Sequence, residues 1–139
     1  MYVELSDEAR RYMARFDELT GVAPRDCLVE GDRLVFLIPA GEMAAAIGQG
    51  GATVTEAERR LGRSVELVED ADTPEAFVAS ALAPAAVAAV TISEQDDRVA
   101  YVEVAPADRG VAIGADGQNI ETARTLAKRH YDVDDVQLT

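Results

Sequence analysis

The sequence predicts a mixed α/β (α+β) protein of two small domains in tandem. Each would be a three-stranded mixed sheet packed by helices and carrying a Gly-x-x-Gly loop. Three observations predict this. The pattern Ala-Ile-Gly-x-x-Gly-x-x-(Val/Ile) occurs twice, at residues 46–54 and 112–120. A strand-like run ending in proline precedes each copy, at residues 33–39 and 98–106. The glycines of the two copies, Gly48 and Gly114, Gly51 and Gly117, stand 66 residues apart, and Ala57 maps to Ala123 at the same offset. A repeat of that length is too long for a solenoid unit and fits two domains. They are expected at residues 1–70 and 71–139, with a short acidic linker near 69–73 that predicts a fixed relation between them.

In the first copy, residues 6–19 read as a helix. Ser6 is a good N-cap, Asp7 and Glu8 suit the first turn, and Gly21 ends the segment. Ala9, Tyr12, Met13 and Phe16 fall on one face. Strands near 27–30 and 33–38 follow, the second read as alternating polar and apolar, with a tight Gly31-Asp32 turn between them. A short helix is expected at 42–47, then the glycine loop. A second helix at 52–61 would turn Val54, Ala57 and Leu61 inward, and a closing strand at 64–69 completes the unit. The second copy repeats the order. Helix 74–82 is followed by strands 86–93 and 99–104, short helix 108–113, long helix 117–131 with Ile120, Ala123 and Ala127 on one face, and strand 135–138.

Composition narrows the function. There are 26 acidic and 13 basic residues, for a net charge of -13, and Lys128 is the only lysine. Acidity keeps a small protein soluble, and acidic residues in place of surface lysines match a salt-rich cytoplasm. The balance argues against a purely electrostatic nucleic-acid binder, so any nucleic-acid contact must come from local features. No apolar run approaches the roughly 20 residues of a membrane span. The most apolar stretch, 77–90, is broken by Pro84, and the start Met1-Tyr2-Val3-Glu4-Leu5 lacks the basic flank of a signal peptide. A cytoplasmic protein, monomeric and without membrane contact, is expected. The single Cys27 excludes an internal disulfide and a cysteine-based zinc site, and it suits a small core position. His130 has no second histidine and is expected at the surface. No spacing of carboxylates picks out a catalytic pair, so neither an enzyme nor a cofactor is expected.

The loops carry the functional signal. Glycine reaches backbone conformations closed to other residues and lets a ligand approach the main chain. The helix that follows points free N–H groups and partial positive charge at the gap, which suits phosphate. A nucleic-acid backbone can then cross the loop while bases enter an apolar groove, which is the KH mode of binding single-stranded RNA. Candidate RNA-binding residues in the first copy are Ile47, Gly48, Gln49, Gly50, Gly51 and Val54. In the second they are Ile113, Gly114, Ala115, Asp116, Gly117 and Ile120. Arg59 and Arg63, like Arg124 and Lys128, are four apart and would share a face of the helix after each loop as a phosphate track. Exposed salt bridges to Glu56, Glu58 and Glu121 are the competing reading. Arg109 is expected to cap or brace its own helix.

On these loops, and on Leu82-Ala-Pro-Ala, residues 99–114, Leu126-Ala-Lys-Arg-His-Tyr and Asp134-Asp-Val, the chain resembles the archaeal NusA-like transcription factor family. Members of that family consist of two type II KH domains. The resemblance covers nearly the whole chain. It implies single-stranded RNA binding and a role in transcription elongation or termination beside RNA polymerase. Bacterial relatives add a polymerase-binding region and an S1 domain, for which 139 residues leave no room. Loop residues that are often Lys or Arg in the family are Gln49-Gly50 and Ala115-Asp116 here. Gln49 can still donate a hydrogen bond, whereas Asp116 would face phosphate with like charge, so the first loop is expected to be the better clamp. The alternative is a protein-interaction adaptor whose acidic surface binds RNA polymerase or a ribosomal partner.

Overall fold

The computed structural model describes residues 3–139. Met1 and Tyr2, which open the N-terminal stretch read above for its missing basic flank, lie outside the described residues. The chain divides into two compact units, Glu4–Asp70 and Ala71–Thr139, with Val3 grouped in the second.

In the first unit, helix α1 (Asp7–Thr20) begins where the Ser6 hydroxyl accepts a hydrogen bond from the Ala9 N–H and ends at Gly21 in the left-handed conformation. Strands β1 (Asp26–Glu30) and β2 (Arg33–Ile38) pair antiparallel. Helices α2 (Met43–Ile47) and α3 (Ala52–Leu61) flank the first glycine loop, and β3 (Ser64–Glu69) returns parallel to β2. The strand order β1-β2-β3 puts β2 in the centre. One departure from the sequence expectation lies in this strand. It does not alternate: Leu34, Val35, Phe36, Leu37 and Ile38 are all fully buried, so both of its faces are covered. Leu34, Phe36 and Ile38 form the core with Ala9, Phe16, Cys27, Ala46 and Ala57. Phe16 and Phe36 stack there at 4.3 Å between ring centroids.

The second unit repeats the order. Helix α4 (Pro74–Ala81) is capped by the Thr73 hydroxyl, with proline at its first position, where no N–H is needed. Strands β4 (Val87–Glu94) and β5 (Arg98–Val104) pair antiparallel, and β6 (Asp135–Leu138) lies parallel to β5. Helices α5 (Arg109–Ile113) and α6 (Gln118–Tyr131) flank the second loop. Here β5 alternates cleanly. Ala100, Val102 and Val104 are buried while Tyr101 and Glu103 are exposed. Helix α6 runs one turn longer than α3, which brings Tyr131 into a 4.9 Å stack on Phe77. His130, expected at the surface, is half-buried on that added turn.

The Phe16–Phe36 stack leads to a stability prediction. Phe36→Ala should lower the stability of the first unit by about 3–5 kcal/mol, and Phe36→Leu by about 1 kcal/mol. The shift of the denaturant midpoint reads both.

Candidate nucleic-acid interface

The two loops have the same backbone. Gly48 and Gly114 sit at φ 78°, ψ 167° and φ 80°, ψ 173°. Gly50 and Asp116 occupy equivalent left-handed positions, at φ 64° and φ 54°, followed by Gly51 at 79° and Gly117 at 74°. Asp116 is thus a non-glycine residue where the first copy has glycine, a conformation that aspartate tolerates better than most residues.

The first glycine of each loop has an internal reason to be glycine. A Cβ on Gly48 would lie 2.1 Å from Thr53 Oγ1 and 2.7 Å from the Thr53 nitrogen. A Cβ on Gly114 would lie 2.8 Å from Asn119 Cβ and 2.9 Å from its nitrogen. The missing side chain therefore lets the following helix approach, rather than only making room for a ligand. Gly50, Gly51 and Gly117 face open space, and their positive φ is what favours glycine. No side chain caps α3 or α6. The first-turn N–H groups of both helices accordingly lack the usual side-chain partner and point, with the helix dipole, toward the loop.

Beside the second loop lies a cleft of about 530 Å³ lined by Arg109, Ile113, Asp116, Gly117, Ile120, Glu121, Arg124, Gln137 and Leu138. Ile113, Asp116, Gly117, Ile120 and Arg124 were expected from the sequence, and the fold brings these five together. Ile113 is 39% exposed and Ile120 only 6%, so the isoleucines form rim and floor. Gln137 and Leu138 were missed because the β6 edge reaches the cleft only through the parallel pairing with β5. Arg109 was read as bracing its own helix. Its Nη1 instead donates to the Thr139 carbonyl at 2.8 Å, which ties α5 to the chain end and leaves the guanidinium on the cleft wall. Its position four residues before Ile113 was the available signal. Asn119, also missed, donates from Nδ2 to the carbonyls of Ala112 (3.2 Å), Val111 (3.3 Å) and Leu82 (3.4 Å), and so fixes the corner between α5 and α6.

In the first copy, Ile47 is 36% exposed just before the loop, as Ile113 is in the second. Gln49 and Gly50 are exposed, and Val54 is half-buried. Counting back 66 residues from Arg109 and Arg124 gives Met43 and Glu58, so the cations of the second cleft have no counterpart here. Glu58 instead accepts a hydrogen bond from the Val65 N–H at 2.9 Å.

The phosphate track is corrected. Arg63 lies beyond the left-handed Gly62 that ends α3, so it shares no helix face with Arg59. It donates to the Gly31 carbonyl and sits 5.6 Å from the Tyr12 ring centroid, bracing the β1–β2 turn. Arg59 makes a two-pronged pair with Glu56, at 3.0 and 2.7 Å, and Arg60 adds a third hydrogen bond at 2.9 Å. Arg124 binds Glu121, Asp135 and the Val136 carbonyl. Lys128 pairs with Asp134 at 2.5 Å. The salt bridges to Glu56 and Glu121 are therefore present, and of the four cations of the expected track, Arg59, Arg63, Arg124 and Lys128, Arg124 is the one that lines a cleft. Hydrogen bonds from Arg59 first, then Arg60, hold the Glu56 carboxyl at about 2, well below its ordinary 4.5. Hydrogen bonding to Lys128 first, then to the Arg98 N–H, lowers Asp134, and the Asp134 hydrogen bond raises Lys128. Among the described residues no group of His, Cys, Asp and Glu could hold a metal ion, and no helix is long and apolar enough to cross a membrane.

Two helix-loop-helix corners on sheets with one antiparallel and one parallel pairing define a tandem type II KH protein. Comparison with known proteins agrees. Residues 74–138 match the model of the NusA-like second KH domain. Over 139 residues the chain is 60% identical to a protein of Halobacterium salinarum named "Probable transcription termination protein NusA", covering all of both chains. It is 57% identical over 138 residues to the protein of that name from Halococcus morrhuae, covering 99% of each. The crystal structure of APE1850 superposes with a TM-score of 0.84 at 29% identity, covering 97% of this chain and 100% of that one. The chain belongs to the NusA-like KH family.

Two predictions follow from the loop and the ion pairs. Gly48→Ala should cost the first unit about 2–4 kcal/mol, because the Cβ collides with backbone as well as side chain, whereas Gly50→Ala should cost about 1 kcal/mol of conformational strain. Denaturant unfolding of the two variants checks the ranking. Glu56 titrates lower in the folded than in the unfolded state, so its stabilisation is complete above pH 4.5 and is lost as pH falls through about 2. Carboxyl-carbon NMR should place its midpoint near 2, and Arg59→Gln should move that midpoint upward.

Proposed function

We propose that the protein is a non-enzymatic factor that binds single-stranded RNA and acts in transcription elongation or termination in the cytoplasm, alongside RNA polymerase. The observation that carries this reading is the cleft beside the second loop. It combines apolar isoleucines, two guanidiniums, the Gln137 amide and an uncapped helix terminus within one nucleotide-sized space. Apolar side chains support a base, and guanidiniums and amides meet its edges or a phosphate. The names of the two haloarchaeal relatives support the transcriptional role.

The two copies divide the work. Over the first loop, Gln49 and Gly50 set no charge against a phosphate. Over the second, Asp116 repels one, but Arg109 and Arg124 line the adjoining groove. The first loop is the better backbone clamp and the second cleft the better base pocket. Exchanging the loop charge tests this. Gly50→Asp keeps the fold, since Asp116 already adopts that conformation in the sibling loop. It should weaken binding of a single-stranded RNA about 3–10-fold, or about 0.7–1.4 kcal/mol. Asp116→Gly should strengthen binding by a similar factor. The reverse ranking, measured by fluorescence anisotropy in molar potassium chloride, would refute the assignment.

The net charge of -13 and the occupied arginines favour a second reading, an adaptor that docks on RNA polymerase. Polymerase co-purification with no RNA binding by wild type or either loop variant would select it.

A further inference from the structure

The first unit carries a second cationic cleft, away from its glycine loop. It is lined by Glu8, Arg11, Tyr12, Arg15, Arg60 and Leu61 and encloses about 340 Å³. Glu8, Arg11, Tyr12 and Arg15 follow the spacing that puts side chains on one face of α1, and Arg60 and Leu61 come from the last turn of α3. A ten-residue helix is about 15 Å long, so this cleft and the loop occupy opposite ends of α3.

Three features separate the cleft from an ordinary solvated helix surface. First, it sets three guanidiniums against one carboxylate in a chain of net charge -13. Second, its cations are only partly engaged. Arg15 reaches Glu18 at 3.6 Å with a side chain 48% exposed, and Arg60 shares Glu56 with Arg59. Arg11 is exposed and makes no ion pair among the described residues. Third, the fold does not require these residues. Helix α4, the counterpart of α1, reads Pro-Glu-Ala-Phe-Val-Ala-Ser-Ala and carries no cation at all.

We propose that this α1–α3 cleft is a separate phosphate-binding site for single-stranded RNA, engaged by strands longer than the loop alone accommodates. The inference rests on the RNA-binding reading given above. Guanidinium forks match phosphate oxygens in pairs, and their hydrogen bonds are directional as well as electrostatic. That suits a salt-rich medium, where contacts resting on charge alone are weakened. Tyr12, fixed by the Arg63 guanidinium over its ring, and Leu61 supply apolar ground beside the cations. A nucleotide, with a base next to its phosphate, uses such ground better than a run of carboxylate side chains does.

The test uses the full chain and the double variant Arg11→Gln, Arg15→Gln, in which both side chains are exposed and far from the loop. RNAs of about four nucleotides, the length one KH loop clamps, and about twelve nucleotides serve as probes. The variant should bind the short RNA like wild type and the long one about 3–10-fold more weakly. Its dependence of log affinity on log salt should flatten by about 1.4, for two lost phosphate contacts at about 0.7 each. Unchanged affinity and slope for the long RNA overturn the proposal. Amide and arginine Nε–H NMR shifts separate it from the reading it rests on. Shifts at the loops with a silent cleft defeat the cleft alone, shifts at the cleft with silent loops defeat the loop reading alone, and silence at both defeats both. Cleft shifts with a glutamate-rich peptide and none with RNA overturn the assignment of the ligand.

Discussion

Each glycine-loop corner depends on a contact too close for a side chain. At Gly48 the backbone passes so near Thr53 that a methyl group has nowhere to go, and at Gly114 the same is true against Asn119. This approach sets the angle at which one short helix hands over to the next. Small residues sustain it from within, since Ala46, Ala57, Ala112 and Ala123 are all completely buried. With the corner closed this tightly, the residue before the glycine cannot turn inward. Ile47 and Ile113 are consequently left partly exposed, an unfavourable position for a large apolar side chain unless something covers it. The open helix terminus and the exposed isoleucine that make a nucleotide site plausible thus both follow from one packing constraint.

Charge acts on a different level. Nearly every cation in the chain is an arginine, and Arg33, Arg59 and Arg124 each meet carboxylates through two contacts. Isolated surface ion pairs contribute little, and salt screens them. Pairs fixed by directional hydrogen bonds on one helix, such as Glu56 with Arg59 and Arg60, keep their geometry when the long-range field is gone. The cost is availability, because a guanidinium already bonded to carboxylates must exchange partners before it meets a phosphate. Arg11, Arg109 and Arg124 differ from Arg59 in bordering a cleft, where an incoming phosphate loses less to solvent.

The order of elements was legible from the repeat itself, and most helix ends could be placed to within a residue because Ser6, Gly21 and the glycine loops mark them chemically. The burial of β2 on both faces was not, since what covers a strand's faces is set by packing beyond the local pattern, and β5, equally central in its sheet, alternates. The site was half legible. The loop residues and flanking isoleucines lie close together in sequence, and periodicity finds them. Gln137, Leu138 and Arg109 enter only through the sheet register and the chain end, and no local pattern encodes those. Arg63 failed for a related reason. A spacing of four implies a shared helix face only while the helix continues, and Gly62 stops it.

The two copies are alike in backbone and unlike in chemistry, and their departures are complementary. The first has an uncharged loop, but Met43 and Glu58 occupy the positions from which cations would face its groove. The second has Arg109 and Arg124 in place but carries Asp116 where a phosphate would cross. On the proposed reading neither copy alone holds a full set of contacts for a nucleotide and its phosphate, and each has what the other lacks. Two partial sites on one chain bind a common strand more tightly than either alone, provided the strand reaches both. On the proposed RNA-binding reading, a duplicated fold with divided chemistry would select for length of single strand rather than for any one base. That selectivity draws on shape and hydrogen bonding, the terms that high salt weakens least.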